Sequence, residues 1–163
     1  MPRHILFAYD HSAIANHAIE WAVHHNLLLP NDNITVATVV NEDIVAIEGS
    51  FGLEAAAVGP ANWIADDFNQ RVTQLEEHAN KALEQVVEWF RTKGYKATPK
   101  LLIGEPGEAL QGFAEASKVD MVVVGSRGLG FLKRQLLGSV SEYLTRHLKC
   151  SVLVIKEKQE KSA

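Results

Sequence analysis

Five short apolar segments alternate with four amphipathic segments along this chain of 163 residues, and this alternation constrains the fold more than any other feature. Apolar, β-branched runs are typical of strands buried on both faces, whereas apolar residues spaced three and four apart indicate helices. The predicted strands are Ile5–Ala8, Ile34–Val40, Ala97–Ile103, Met121–Val124 and Cys150–Ile155, and the predicted helices begin near Ser12, Ala65, Gly107 and Ser139. Strict alternation predicts an α/β fold with one parallel sheet and helices on both faces.

The composition fits one compact domain and excludes several classes of protein. With 47% hydrophobic residues, we expect residues 1–156 to form a single domain, and residues 157–163 to form a disordered charged tail. A net charge of −4 gives no general attraction to nucleic acid or to an anionic membrane, and no apolar run approaches the roughly 18 residues of a membrane helix. Because Cys150 is the single cysteine, no intrachain disulfide is possible, and we expect a cytoplasmic protein.

Two glycine-containing turns flank a basic segment near the fourth predicted strand. The turn Gly125-Ser126-Arg127-Gly128 follows the strand directly, and nine further residues separate it from Gly138-Ser139, before the last predicted helix. Glycine lets the backbone approach a ligand closely, so that successive N–H groups can point at one anion. The first N–H groups of a helix also lack partners within it. With Lys133 and Arg134 between the turns, this segment predicts a phosphate-binding site.

Part of this segment also fits a purely structural interpretation. Ser139 and Glu142 have the spacing of a capping box, in which the serine caps the helix and the glutamate reaches back to the cap. A capping box would explain Ser139, but it would explain neither the paired glycines nor the basic residues between them. We therefore expect a capping box at Ser139 within a phosphate-binding segment.

A second polar segment, Tyr9-Asp10-His11-Ser12, follows the first predicted strand directly. In open parallel sheets, ligands bind outside the carboxyl ends of the strands, where the strand order reverses. If the first and fourth strands are neighbours, this segment and the turn at Gly125 face the same pocket.

Other kinds of site find less support in the sequence. His17, Glu20 and His24 share one face of the first predicted helix, but no further ligand of predictable geometry accompanies them, so we interpret them as surface residues. A P-loop requires a lysine directly after its last glycine, and Gly138-Ser139 lacks one. A dinucleotide site requires a glycine-rich turn after the first strand, where this chain has Asp10 and Ser12.

The pattern of glycines resembles the ATP-binding signature of the universal stress protein family. The signature is Gly125, two residues, Gly128, nine residues, and Gly138-Ser139, and every fixed position is filled. Further resemblance lies at Asp10-x-Ser12, Val39-Val40, Gly104-Glu105-Pro106, Asp120–Ser126 and Ser151–Ile155. The resemblance implies a Rossmann-like, adenine nucleotide alpha hydrolase-like fold, an open twisted sheet of five parallel strands in the order 3-2-1-4-5. It also implies a homodimer in which the strands Ser151–Ile155 of two subunits pair.

The resemblance further implies which residues surround an adenine nucleotide, whether ATP, ADP or AMP. Asp10, with Ala8, Tyr9 and Ser12 beside it, would face the adenosine, and a main-chain group of Val39 or Val40 would read the adenine. Asp10 would accept hydrogen bonds from the ribose hydroxyls or help to hold Mg²⁺ on the phosphates. The ribose and phosphates would lie among Gly125, Ser126, Arg127, Gly128, Gly138, Ser139, Val140 and Ser141. Two departures from the family pattern are His11, where a small residue is common, and a long segment at Asn41–Ile64.

Three functions are compatible with these residues. The favoured hypothesis is a stress-response module that binds ATP or AMP and acts as a nucleotide-dependent dimeric switch or adaptor. The alternative is a slow Mg-dependent ATP hydrolase, with Asp10 on the metal ion and Arg127, Lys133 or Arg134 stabilising the developing charge. A third is an adaptor that binds its partner through Asn41–Ile64.

Overall fold

The computed structural model describes residues 1–41, 62–127 and 137–157. Gly128, Lys133, Arg134, most of the segment Asn41–Ile64 and nearly all of the tail lie outside these residues, so the expectations about them remain predictions, as does the single domain over residues 1–156. The elements in chain order are β1 (His4–Ala8), α1 (Ala13–His24), β2 (Asn33–Val40), α2 (Asn62–Thr92), β3 (Lys96–Ile103), α3 (Pro106–Ala116), β4 (Met121–Gly125), α4 (Ser139–His147) and β5 (Ser151–Ile155).

The five strands form one parallel sheet in the order β3-β2-β1-β4-β5, which confirms the predicted fold. Strand β1 lies in the centre, where Ala8 pairs with Ala37 of β2 and with Val124 of β4. Because β1 is flanked by strands from both halves of the chain, the order reverses beside it, and its carboxyl end is the expected ligand position.

Two apolar clusters lie on opposite faces of the sheet. Helices α1 and α2 cover one face, packing Ile19, Leu83, Val87 and Phe90 against the sheet. Helices α3 and α4 cover the other through residues such as Leu110 and Leu144. Each face therefore buries its own layer of side chains, as strands without polar alternation require.

Three helices end in the same way at the amino end of the sheet. Asn26, Gly94 and Lys118 all have positive φ, at 54°, 89° and 51°, and each follows the end of a helix that leads into the next strand. After each one, the next residue donates its N–H to a carbonyl five positions earlier, as in Tyr95 N–H to the Phe90 oxygen at 3.1 Å. This is the Schellman motif, which satisfies the last carbonyls of a helix.

The boundaries differ from the predictions at two helices. Helix α2 begins at Asn62 rather than at Ala65. The capping box at Ser139 is wrong, because Gly138 is the N-cap residue of α4, no side chain caps the helix, and Ser139 is its first residue. Ser139 therefore lies one position too far along to cap α4, and the Glu142 carboxylate pairs with Arg146 at 2.8 Å instead. Within the residues that the structure describes, no helix has the length and apolar character needed to cross a membrane.

Candidate functional site

The two glycine turns meet at the carboxyl end of β4. Ser126 donates its N–H to the Ile155 oxygen at 2.8 Å, and its own carbonyl accepts from the Gly138 N–H at 2.6 Å. The buried Ser141 hydroxyl lies 3.0 Å from both the Ser126 and the Gly138 oxygens. Twelve residues apart in sequence, Ser126 and Gly138 are thus held in direct contact, which brings the amino end of α4 to the end of β4.

The two described glycines of this signature have different local surroundings. A Cβ atom on Gly125 would lie 3.1 Å from Ile14 Cγ2, so α1 packs closely over this position. Gly138 has φ −71° and ψ 165°, an extended conformation open to any residue. The backbone conformation therefore does not require glycine at position 138.

The polar loop after β1 is fixed by a compact set of hydrogen bonds. Asp10 Oδ1 accepts from the Ser12 N–H at 3.0 Å and from the Ser12 hydroxyl at 2.5 Å. The Ser12 oxygen in turn accepts from the Ala15 N–H at 3.2 Å, which makes Ser12 the N-cap of α1. Ser12 therefore serves both to start the helix and to orient the Asp10 carboxylate.

Tyr9 is joined to its neighbours through three polar groups. Its N–H donates to the Ala37 oxygen at 2.8 Å, its carbonyl accepts from the Thr38 hydroxyl, and its hydroxyl donates to Asn16 Oδ1 at 2.7 Å. Burial raises the pKa of the Tyr9 hydroxyl, the bond to Asn16 opposes that rise, and the Asp10 charge adds to it. The buried ring thus belongs to the apolar core and ties β1 to α1.

His11 has the least ordinary conformation in this loop. Its φ is 66°, its ring meets the Tyr9 ring edge-on with centroids 5.0 Å apart, and among the described residues its Nδ1 atom is buried without a hydrogen-bond partner. Burial lowers the pKa of His11, Asp10 opposes that effect, and His78 of α2 adds to it.

The end of β2 lies beside this loop. The Val40 carbonyl accepts from the Gly104 N–H at 3.0 Å, on the side of β3. In a parallel sheet, consecutive residues direct their main-chain groups to alternate neighbours, so Val39 directs its N–H and C=O toward the β1 side. Of the two valines that the resemblance singled out, only Val39 directs its main-chain groups past the end of β1.

The structure therefore brings the described candidates together at one end of the sheet. Ala8 ends β1 between β2 and β4, Ser139 and Val140 open α4, and Arg127 lies 3.4 Å from Glu157 through Nη1 and Oε2. In the described residues, no three His, Cys, Asp or Glu side chains are grouped as a metal site. A carboxylate such as Asp10 fits Mg²⁺ held mainly by phosphates and water.

Three contributors to this site were not predicted. Ile14 packs against Gly125, Thr38 holds the Tyr9 carbonyl, and Gly104 bonds to Val40. Thr38 interrupts an apolar strand, which is a visible signal, and Gly104 lies in a turn that was noted for its resemblance. Ile14 follows the apolar pattern of α1, so nothing in the sequence distinguishes it.

Comparisons with known proteins give consistent matches over nearly the whole chain. Residues 1–156 match the model of the universal stress protein family. The chain is 30% identical to the universal stress protein Sll1388 of Synechocystis sp. over 152 residues, covering 93% of this chain and 96% of that protein. It is 28% identical to universal stress protein MJ0577 of Methanocaldococcus jannaschii over 158 residues, 97% of each chain.

Solved structures show the same fold. The structure of MJ0577 has a TM-score of 0.80 at 26% identity, covering 98% of this chain and 99% of that one. A universal stress protein family protein from Arabidopsis thaliana, solved with AMP bound, has a TM-score of 0.66 at 20% identity, covering 96% of this chain and 93% of that one. A universal stress protein in complex with cAMP has a TM-score of 0.57 at 20% identity, covering 95% and 97%.

Proposed function

Because the chain belongs to the universal stress protein family, we propose that it is a stress-response protein that binds an adenine nucleotide, ATP, ADP or AMP, at the carboxyl end of its sheet. The hydrogen bond from Gly138 to Ser126 carries the proposal, since it joins the two glycine turns beside the end of β1. Anion binding by such turns and by the amino end of α4 would hold the phosphates. The AMP and cAMP found in two proteins of the same fold support this ligand class.

Val39 is proposed to read the base. If β1 were longer, the Tyr9 carbonyl would pair with the main chain of β2, but it accepts a hydrogen bond from the Thr38 hydroxyl instead. The Val39 N–H and C=O are therefore suited to a ligand. The Val39 N–H donor and C=O acceptor match the N1 acceptor and the 6-amino donor of adenine. At the same two positions, guanine has an N1–H donor and an O6 acceptor. A buried polar mismatch is strongly rejected, so ATP should bind and GTP should not.

Isothermal titration with ATP, ADP, AMP and GTP tests this proposal. At about 100 µM protein, binding weaker than about −5 to −6 kcal/mol would give no usable heat. Heat with the adenine nucleotides and none with GTP is the expected result. If none of the four nucleotides gives heat, the binding function is refuted. Equal affinity for ATP and GTP would refute the role of Val39.

Asp10 is proposed to contact the nucleotide directly. The two hydrogen bonds from Ser12 fix its carboxylate at the end of β1, where it would accept from ribose hydroxyls or help to hold Mg²⁺ on the phosphates. Titrations with adenosine and with ATP, each with Mg²⁺ and with EDTA, separate these roles. Loss of adenosine affinity in Asp10→Asn supports the ribose contact, and loss of only the Mg²⁺ effect on ATP supports the metal contact.

A homodimer through β5 is the proposed assembly, in which nucleotide would act as a switch. The two edge strands differ, since β3 carries exposed Lys96 and Lys100 with Pro99 between them, features that discourage strand pairing. Strand β5, Ser151–Ile155, has neither a charge nor a proline. Light scattering should show a dimer that Val152→Lys disrupts and Thr98→Lys does not, with thermal unfolding confirming that both variants fold. A wild-type monomer would refute this assembly.

A further inference from the structure

His11 combines two features that folding alone does not favour. Its φ of 66° lies in the left-handed region, which only a few per cent of residues other than glycine adopt. Its Nδ1 atom is also buried with no hydrogen-bond partner among the described residues. Strained residues and buried polar atoms without partners concentrate at ligand-binding positions, and His11 lies between two residues of the proposed nucleotide site.

The surroundings of His11 do not supply the missing partner. Asp10 Oδ1 accepts two hydrogen bonds from Ser12, and the Tyr9 ring lies perpendicular to the imidazole while its hydroxyl donates to Asn16 Oδ1. The same loop leads into α1, whose Ile14 lies against Gly125. The imidazole therefore belongs to the stretch of chain that packs beside the glycine turns.

We propose that His11 is a ligand-contacting residue, whose ring turns away from Tyr9 and donates its N–H to a phosphate oxygen of the bound nucleotide. This inference rests on the proposed adenine-nucleotide function. The inference follows from the chemistry of the Asp10 and His11 side chains. The Asp10 carboxylate accepts hydrogen bonds, which suits ribose hydroxyls. A neutral imidazole always carries one N–H, which suits phosphate oxygens because they only accept.

Titrations with adenosine and AMP at neutral pH test this role, because only AMP carries a phosphate. His11→Gly and His11→Ala should each weaken AMP binding about tenfold, while adenosine affinity stays within about twofold. His11→Asn should recover part of the loss, since asparagine tolerates positive φ and offers an N–H donor. His78→Ala, which removes the other histidine near the loop, should bind both ligands like wild type.

Thermal unfolding without ligand separates this role from a purely structural one. The glycine variant should unfold no earlier than wild type, because glycine adopts positive φ freely. Equal losses for adenosine and AMP, or no loss for either, would overturn the role of His11 while leaving nucleotide binding intact. Wild-type protein that binds neither ligand would overturn both proposals.

Discussion

At the amino end of the sheet, Arg3 donates two hydrogen bonds to the fully buried Asp32 carboxylate, at 2.9 and 2.5 Å. At the carboxyl end, His11 keeps a buried ring nitrogen without a partner in the described residues. The Arg3–Asp32 pair stabilises the fold and leaves no group for a ligand. The His11 nitrogen lowers stability unless a ligand supplies its missing hydrogen bond. The comparison indicates that changes at the amino end should alter stability, and changes at the carboxyl end should alter binding.

Further polar groups at the amino end are paired as well. The Leu29 N–H donates to Asp32 Oδ2 at 2.8 Å, and Arg3 also reaches the Leu27 oxygen at 3.0 Å. His4 donates its main-chain N–H to Asp120 Oδ2 at 2.7 Å, and its ring lies 2.8 Å from the Thr35 hydroxyl. These bonds join the starts of β1, β2 and β4 and fix their relative positions.

The largest expected effect is that of Asp32→Ala. Removing this carboxylate leaves the Leu29 N–H and Arg3 without their acceptor. Because the Arg3 side chain is 37% exposed, water can solvate its charge in part, and the loss should be about 1.5–3 kcal/mol, the contribution of hydrogen bonds to a charged group. Denaturant unfolding should show this loss, while AMP affinity at a temperature where the variant is folded should match wild type. Glu142→Ala is the control, since its exposed pair with Arg146 contributes only about 0.3–0.5 kcal/mol. A comparable loss of unfolding free energy in Asp32→Ala and Glu142→Ala would contradict the special role of the amino end in stability.

The same carboxylate should make stability depend on pH. Burial works to raise the pKa of Asp32, but the hydrogen bonds from Arg3 and the Leu29 N–H, together with the Arg3 charge, outweigh burial and hold the pKa below its ordinary value. The stabilisation is therefore complete above the unfolded-state pKa of about 3.9 and is lost as the pH falls through the folded-state pKa.

Urea unfolding from neutral pH into the acid range measures this effect. The free energy of unfolding of wild type should fall below about pH 5, and Asp32→Asn, less stable at neutral pH, should show a smaller fall. Parallel curves for the two proteins would mean that other carboxylates cause the acid sensitivity.

The carboxyl end should respond in the opposite way to Gly138→Val. The extended backbone of Gly138 accepts valine, so the unfolding free energy should change by less than about 1 kcal/mol. A side chain among the amides that we propose to bind phosphate should nevertheless weaken nucleotide affinity about tenfold or more, equivalent to about 1.4 kcal/mol.

Gly112→Val is the matched control for this experiment. Gly112 lies on the exposed side of α3, where an added Cβ atom would have no atom within 4 Å, so the variant should bind like wild type. Unchanged affinity in Gly138→Val would remove Gly138 from the proposed site, and a large loss of stability would contradict the separation between the two ends.

The sequence predicted much of this arrangement, for identifiable physical reasons. Apolar strands alternating with amphipathic helices specify a parallel sheet, and the family resemblance supplied its order. Long-range polar pairs were not predictable, since nothing marks Arg3 and Asp32, 29 residues apart, as partners. The capping error at Ser139 arose because Ser139 and Glu142 have the spacing of a capping box, whereas the structure has Gly138 as the N-cap and Ser139 as the first residue of the helix. Deciding between Val39 and Val40 likewise required the register of β2.

The smallest expected effect tests the helix ends at the amino end of the sheet. Lys118 has φ 51° at the end of α3, where a residue other than glycine bears a steric cost of roughly 1–2 kcal/mol, offset in part by the greater unfolded-state freedom of glycine. Lys118→Gly should therefore stabilise the protein by about 0.5–1 kcal/mol, measured by denaturant unfolding.

Gly94→Ala is the reverse experiment, because Gly94 has φ 89° and no atom near its missing Cβ. It should lose about 1 kcal/mol through backbone strain alone. Neither variant should change AMP affinity, since both positions lie at the opposite end of the sheet from the glycine turns. A shift in affinity with either variant would show that the two ends are coupled through the helices, and that the amino end contributes more than stability.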